Sequence, residues 1–259
     1  MDIEDELNDQ NPGGSWMAEA VRAWGPAILA VIIIRSFLFE PFRIPSGSMV
    51  PTLLVGDFVV VTKYSYGLWL HLPFPRMHGV KSLELVDMGD PERGDVIVFR
   101  YPVDEGLTYI KRVVGLPGDR IRVRNNQIFV NDEAVKRTYQ SSYPYQDDRC
   151  YGHEAKLYIE ELDGAPHYKL TNRTGGGFLA DIPEVTVAMD TVFVMGDNRD
   201  NSEDSRKWGF VRYDQIKGKA RATWLSLDKC GESNSPFELR GERTFRSLYV
   251  PPEPVKTDD

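Results

Sequence analysis

Residues 93–130 read RGDVIVFRYPVDEGLTYIKRVVGLPGDRIRVRNNQIFV, and this stretch decides the fold. Four short runs rich in Val, Ile, Phe and Tyr, at 95–101, 109–114, 120–123 and 127–130, are separated by Pro117-Gly118-Asp119 and Asn125-Asn126. Such runs bounded by turn-forming residues read as β-strands joined by tight connections. Working outward, similar runs occur at 58–62, 191–195 and 220–226, and a last strand is expected within 238–248. No long amphipathic helix competes with them, so the expectation is a mainly β, barrel-like domain rather than a βαβ sheet.

Residues 131–187 differ in character, with Tyr, Asp and Gly-rich segments, and read as an inserted smaller β subdomain. The organisation expected is an acidic leader at 1–15, an anchor at 16–40, a β domain at 41–130 and 188–250, the insertion at 131–187 and a flexible tail at 251–259. The anchor rests on MAEAVRAWGPAILAVIIIRSFL at 17–38. As a helix it would span roughly 33 Å, enough to cross a bilayer. Trp16 and Trp24 precede the apolar block, Phe37 and Phe39 end it, and Arg22 and Arg35 lie where long side chains can snorkel. The charge-free run from Ala23 to Ile34 also suits a buried core helix. A cleaved secretory signal fits poorly, because its n-region should be basic and this leader is acidic. Arg22 before the block and Arg35 and Arg43 after it leave the orientation undecided.

The chain of 259 residues carries a formal net charge of -8, and residues 1–22 hold six acids and one base, so -5 belongs to the leader and -3 to the rest. With no Lys/Arg-rich run, nucleic acid is excluded as a partner. Two cysteines, Cys150 and Cys230, and four scattered histidines offer no metal-ligand spacing, and no nucleotide loop appears, so no metal or cofactor is expected. The cysteines either bridge in an oxidising compartment or remain free thiols.

Three segments carry chemistry. In IPSGSMVPTL at 44–53, two prolines and a glycine fix a backbone that is neither helix nor strand, in which a serine can be exposed and aimed; alone it is equally a polar turn. In YIKRVV at 109–114, strand alternation puts Tyr109, Lys111 and Val113 on one face, so Lys111 is either partly buried among apolar neighbours or an edge-strand gatekeeper. In GDNRDNSEDSR at 196–206, the carboxylates and two arginines suit a surface turn or an ion-pair network; a calcium loop would need a glycine at its sixth position and flanking helices.

Taken in this order after an apolar segment, FxIPSGSMxPTLLxGD at 42–57, RGDVIVFxYP at 93–102, YIKRVVGLPGD at 109–119 and GDNRDNSxDSRxWG at 196–209 resemble the bacterial signal peptidase I family of serine/lysine endopeptidases. The resemblance implies Ser48 as nucleophile, Lys111 as general base, and the Ser46 hydroxyl with the Ser48 N–H as oxyanion hole. It implies that Ser202 hydrogen-bonds and orients Lys111, and that Asp204 and Arg206 form an ion pair supported by Asp197 and Arg199. Phe42, Ile44, Met49, Leu53, Val59, Val98, Tyr109 and Ile110 would line shallow pockets for small side chains. The implied partners are preprotein signal peptides with Ala-x-Ala sites, membrane lipid and, as a candidate, the secretion machinery. The implied location is the bacterial inner membrane, single-pass, with the catalytic domain on the periplasmic side. The alternatives are a self-cleaving LexA-type protein, which would need an N-terminal DNA-binding domain, and a non-enzymatic membrane-anchored β module.

The chemistry sets a demanding condition. A free lysine is only about 0.04% neutral at pH 7, whereas one lowered to about 8 would be roughly 10% neutral. Burial beside Tyr109 and other apolar groups must therefore do the lowering.

Overall fold

In the computed structural model, the described residues are 15–33, 38–70, 83–86, 89–172, 179–230 and 238–250. The chain divides into two compact units, one up to Phe39 and one from Glu40 onward. The first holds helix α1 (Ser15–Ile33), on which Trp16, Val21, Trp24, Ile28 and Leu29 are all exposed. No helix among the described residues is long and apolar enough to cross a membrane. Glu19 and Arg22 interrupt the first turns of α1, and its apolar stretch runs only from Ala23 to Ile33. The expected anchor at 16–40 is corrected at its end, since residues from Phe39 are strand, while 34–37 lie outside the described residues. The expected leader, up to residue 14, and the tail at 251–259 also lie outside them.

From the junction onward the strands are β1 (Phe39–Arg43), β2 (Asp57–Thr62), β3 (Leu68–Leu70), β4 (Leu83–Val86), β5 (Val96–Arg100), β6 (Thr108–Gly115), β7 (Arg120–Arg124), β8 (Gln127–Val130) and β9 (Glu133–Ala134). The chain continues with β10 (Arg137–Gln146), β11 (Gly152–Leu162), β12 (Ala165–Asn172), β13 (Ile182–Thr186), β14 (Thr191–Met195), a four-residue helix α2 (Ser205–Trp208) and β15 (Val211–Arg212). The long β16 (Ile216–Asp228) and the short β17 (Glu238–Leu239) and β18 (Arg246–Ser247) complete it. The main sheet runs β1-β2-β16-β5-β6-β14-β15, with β17 and β18 also on β16. Its ladder begins at β1 and ends at β15 among the described residues. The mainly β architecture is as expected.

Local chemistry explains the hairpins. Asn125 and Asn126 (φ 48 and 58) join Arg124 to its cross-strand partner Gln127, and Asp163 and Gly164 (φ 47 and 77) join Leu162 to Ala165. Two-residue loops with both residues left-handed match the twist of the flanking strands, and Asn, Asp and Gly tolerate that conformation best. The first hairpin is the Asn125-Asn126 turn expected from the sequence.

Of residues 131–187, β10, β11 and β12 form a separate three-stranded sheet, whereas β9 and β13 pair with β8 and β7. This small sheet packs its apolar side through Ala155, Leu157 and Leu170 onto Val50, beside the SGS segment. A disulfide between Cys150 and Cys230, Cα atoms 5.4 Å apart, ties the β10–β11 connection to the end of β16. The main core gathers Ile44, Met49, Leu53, Val59, Val61, Val96, Val98 and Ala220. Burying such side chains contributes about 1.5–3 kcal/mol each, which fixes the loop at 44–57 to the sheet as firmly as a strand would.

Candidate active site

The SGS segment enters the core directly from β1. Ile44 is 2% exposed and its N–H donates to the Asp57 carbonyl at 2.8 Å, after which Gly47–Met49 make a single 310 turn. Ser46, in extended conformation (φ -130, ψ 157), precedes that turn and is exposed, while Ser48 inside it is buried. Thus the segment presents one exposed and one buried hydroxyl two residues apart.

Lys111 comes from β6, whose pattern of burial shows no alternation from Lys111 to Gly115. Both faces of the strand are covered there, so Lys111 and Arg112 are both interior, at 4% exposure each. The Lys111 ammonium donates to Ser48 Oγ at 2.7 Å and to the Ile110 carbonyl at 2.9 Å, and sits 5.5 Å from the centre of the Tyr109 ring. Burial pushes Lys111 down from 10.5 to about 8, against the opposing pull of the Asp204 and Asp197 carboxylates. The Lys111 proton is therefore held more weakly than on a surface lysine.

The third segment wraps around this pair by backbone. Asn198 N–H donates to the Ser48 carbonyl at 3.0 Å, and its side-chain amide donates to the Gly47 carbonyl at 3.1 Å. Gly196 backs directly onto the site: a Cβ there would lie 2.5 Å from Ser48 O and 2.3 Å from Ser202 Oγ. Only glycine permits that approach. Leu170 of β12 brackets the segment, its N–H donating to Asp197 O at 2.8 Å and its carbonyl accepting from Arg199 N–H at 2.9 Å. The small sheet is thus continuous, through one parallel bridge, with the loop beside Ser48.

Asp204 and Arg206 pair as expected, Nε to Oδ1 and Nη2 to Oδ2 both at 2.8 Å, and Gly196 N–H donates to Asp204 Oδ2 at 3.0 Å. Burial would raise the Asp204 carboxyl, but the Arg206 guanidinium outweighs it and holds the pKa below the ordinary value. Arg199 touches that pair through its carbonyl, which accepts from Arg206 Nη2. Asp197 is gripped by Arg112, Nε to Oδ1 at 2.8 Å and Nη2 to Oδ2 at 2.7 Å, with the Thr52 hydroxyl as a further donor. The Arg199 guanidinium forks onto Glu160 of β11, which also accepts from Lys169 of β12 at 2.7 Å. Glu160, Lys169 and Arg199 are at most 1% exposed. Burial opposes ionisation of Glu160, but Arg199 and Lys169 hold its pKa well below the usual range.

Two further expectations change. Ser202 does not bond Lys111: its buried Oγ faces Gly196 beside the Asp204 carboxylate, which it helps keep ionised. The ammonium's hydrogen bonds go instead to Ser48 and the Ile110 carbonyl. Among the residues expected to line pockets, Ile44, Met49, Leu53, Val59 and Val98 are core, at 0–2% exposure, and Phe42 and Ile110 pack half-buried on them. Tyr109 belongs to another cluster with Phe99 and Trp208, stacked on Tyr101 at 4.5 Å. An accessible apolar lip is therefore left to Phe42, Ile110 and Tyr109.

Arg112, Thr52, Glu160, Lys169 and the two bonds of Asn198 were not singled out from the sequence. One signal was present for Arg112, because a strand without alternation buries both faces and a charge on either must find a partner. For Glu160 the signal was weaker, a carboxylate sharing a strand face with Tyr158 and Leu162.

Residues 17–225 match the family described as signal peptidase, peptidase S26. Signal peptidase I of Pseudomonas fluorescens is 42% identical over 85% of this chain and 76% of its own, and that of Pseudomonas aeruginosa is 40% identical over the same shares. A crystal structure of a signal peptidase I from Enterococcus faecalis aligns over 51% of this chain and 97% of its own, at 24% identity and a TM-score of 0.31. The class so defined is that of the serine endopeptidases. Within it, the chain belongs to the signal peptidase family, whose reaction is the removal of signal peptides by a peptidase.

Proposed function

We propose that this chain cleaves exported preproteins after Ala-x-Ala-type sites with Ser48 as nucleophile and neutral Lys111 as general base. The observation that carries the reading is the 2.7 Å hydrogen bond between two buried side chains, Lys111 Nζ and Ser48 Oγ, whose sequence positions are 63 apart. In the attack, Ser48 Oγ bonds to the scissile carbonyl carbon and its proton passes to Lys111. The carbonyl oxygen becomes an oxyanion facing the Ser48 N–H and the Ser46 hydroxyl. Lys111 then returns the proton to the leaving amine, and a water activated by the same lysine releases the acyl group from Ser48.

The substrate adds as an extended strand to β6. Among the described residues β14 pairs with β6 only from Arg112 to Gly115, which leaves the edge at Thr108–Lys111 open on that side. Ile110 and Tyr109 lie half-buried on that stretch of β6, and Phe42 packs on the cluster that Ile110 joins; small residues are expected beside them before the scissile bond. Asp197, Arg199, Asp204, Arg206 and Ser202 hold the loop behind Ser48 and Lys111.

The exposed indole and aliphatic side chains of α1 support insertion of the N-terminal segment in the inner membrane, where lipid covers them. The Cys150–Cys230 disulfide supports an oxidising compartment for the β domain, hence the periplasmic side. It supports the orientation with the β domain outside, where arginine counting left the choice open.

The test is cleavage of a preprotein with an Ala-x-Ala site by detergent-solubilised wild type, Ser48→Ala and Lys111→Ala in parallel. Wild type is expected to cut after the second alanine and both variants to be inactive. Equal cutting by all three would overturn the assignment.

A further inference from the structure

Asn198 is 1% exposed and makes two bonds to consecutive carbonyls, backbone N–H to Ser48 O at 3.0 Å and side-chain amide to Gly47 O at 3.1 Å. The Gly47 carbonyl and the Ser48 N–H belong to the same planar peptide unit, and planarity fixes one by fixing the other. Gly47 O also accepts from Val50 N–H at 3.2 Å across the 310 turn, so two donors from different segments grip this oxygen. Asn198 is itself held from outside the site: the residues either side of it, Asp197 and Arg199, are bonded through their backbones to Leu170, and Arg199 is clamped by Glu160.

We infer that Asn198 is a positioning residue for the oxyanion hole, its side-chain amide orienting the Gly47–Ser48 peptide so that the Ser48 N–H points at the developing oxyanion. The inference rests on Ser48 being the nucleophile. Two physical effects act together. Holding the carbonyl sets the N–H direction, and a bond donated to the carbonyl polarises the amide and strengthens its N–H as a donor. Neither acts on the ground-state carbonyl of the substrate as strongly as on the charged oxygen, so the contribution falls on the chemical step.

The experiment uses the full chain in detergent and three measurements on wild type, Ser48→Ala and Asn198→Ala: kcat and KM on an Ala-x-Ala preprotein, affinity for a signal-derived peptide ending in an alanine aldehyde, and affinity for the same peptide ending in the alcohol. Ser48 Oγ adds to the aldehyde carbon as the C=O π bond breaks. The Ser48 proton passes to Lys111 while the oxygen stays charged in the oxyanion position, or on to that oxygen to give a hemiacetal hydroxyl; the alcohol forms no covalent bond. For Asn198→Ala the expected result is a fall in kcat of about 10- to 100-fold, KM within about twofold, aldehyde affinity falling in proportion to kcat, and alcohol affinity unchanged. If Asn198→Ala does not fold, Asn198→Asp keeps the side-chain shape and the backbone bond to Ser48 but offers no donor to Gly47 O, and is read by the same numbers. Unchanged kcat, or a loss shared equally by kcat, KM and both peptides, overturns the inference. Should Ser48→Ala cut as well as wild type, the parent assignment falls instead; an inactive Ser48→Ala beside a fully active Asn198→Ala removes this inference alone.

Discussion

Two buried lysines in this molecule have almost the same surroundings by count and opposite character. Lys111 donates to a hydroxyl at 2.7 Å and a backbone carbonyl at 2.9 Å; Lys169 donates to a carboxylate at 2.7 Å and a backbone carbonyl at 2.9 Å. Burial pulls each down to about 8. The touching partner differs, Ser48 in one case and Glu160 in the other, and so do the charges further off, Asp204 and Asp197 near Lys111 and Arg199 and Arg137 near Lys169. Loss of a proton from Lys169 would break a buried ion pair, whereas loss of one from Lys111 would leave a neutral hydroxyl as its neighbour. Desolvation lowers both lysines alike; the partner decides what a proton's departure leaves behind.

The largest break in that comparison comes from guanidinium substitution. Lys111→Arg is expected to lose roughly a thousandfold or more in turnover, since arginine stays protonated and cannot act as base. Lys169→Met should leave the turnover of the folded fraction within about tenfold, because it touches the support and not the chemistry. Single-turnover assays normalised to folded protein separate the two.

Stability is expected to separate the two lysines by degree. The folded-state pKa of Lys111 lies below its unfolded value of 10.5, so the charged lysine destabilises the fold in full below about pH 8 and is relieved as pH rises from 8 to 10.5. At roughly 1.4 kcal/mol per pH unit that penalty is about 3 kcal/mol. Lys111→Met should therefore raise the denaturation free energy at pH 7 by roughly 1–3 kcal/mol while abolishing activity. Lys169, also at about 8, carries a like penalty, but Lys169→Met removes one of the two cations on Glu160 and leaves Arg199 alone there, so its gain should be smaller than that of Lys111→Met or reversed. Equal destabilisation by both would dissolve the distinction.

The smallest effect is the pH profile. With Lys111 titrating near 8, kcat/KM should rise about tenfold from pH 7 to pH 9, following the neutral fraction. A flat profile over that window would assign the base elsewhere.

The parts legible in the sequence were those with a local code. The runs at 127–130 and 191–195 coincide with β8 and β14, and 58–62 misses β2 by a single residue, because β-branched and aromatic residues beside turn formers carry their own address. β16 was read as 220–226 but begins at Ile216, since Lys217, Gly218 and Lys219 mask its start; Gly218 there abuts Thr62 O, an approach that the neighbouring strand, not the local pattern, determines. The long strands β10 to β12 had no period-2 signal, being rich in Tyr and polar residues on a half-exposed sheet. At the site, composition left Ser48, Lys111, Asp204 and Arg206 open between turn, edge strand and chemistry, and the resemblance of four motifs in order singled them out. Which arginine meets which carboxylate was not readable, because Arg112 and Asp197 are 85 positions apart and Arg199 and Glu160 are 39, and charge pairing has no spacing rule across strands.

The bond from Asn198 to the Gly47 carbonyl spans 151 positions. A growing chain that ends before that residue already carries Ser48 and Lys111, yet it has no loop to grip the SGS turn. The turn that carries Ser48 is thus set by a contact that closes only once β14 and the loop after it are in place.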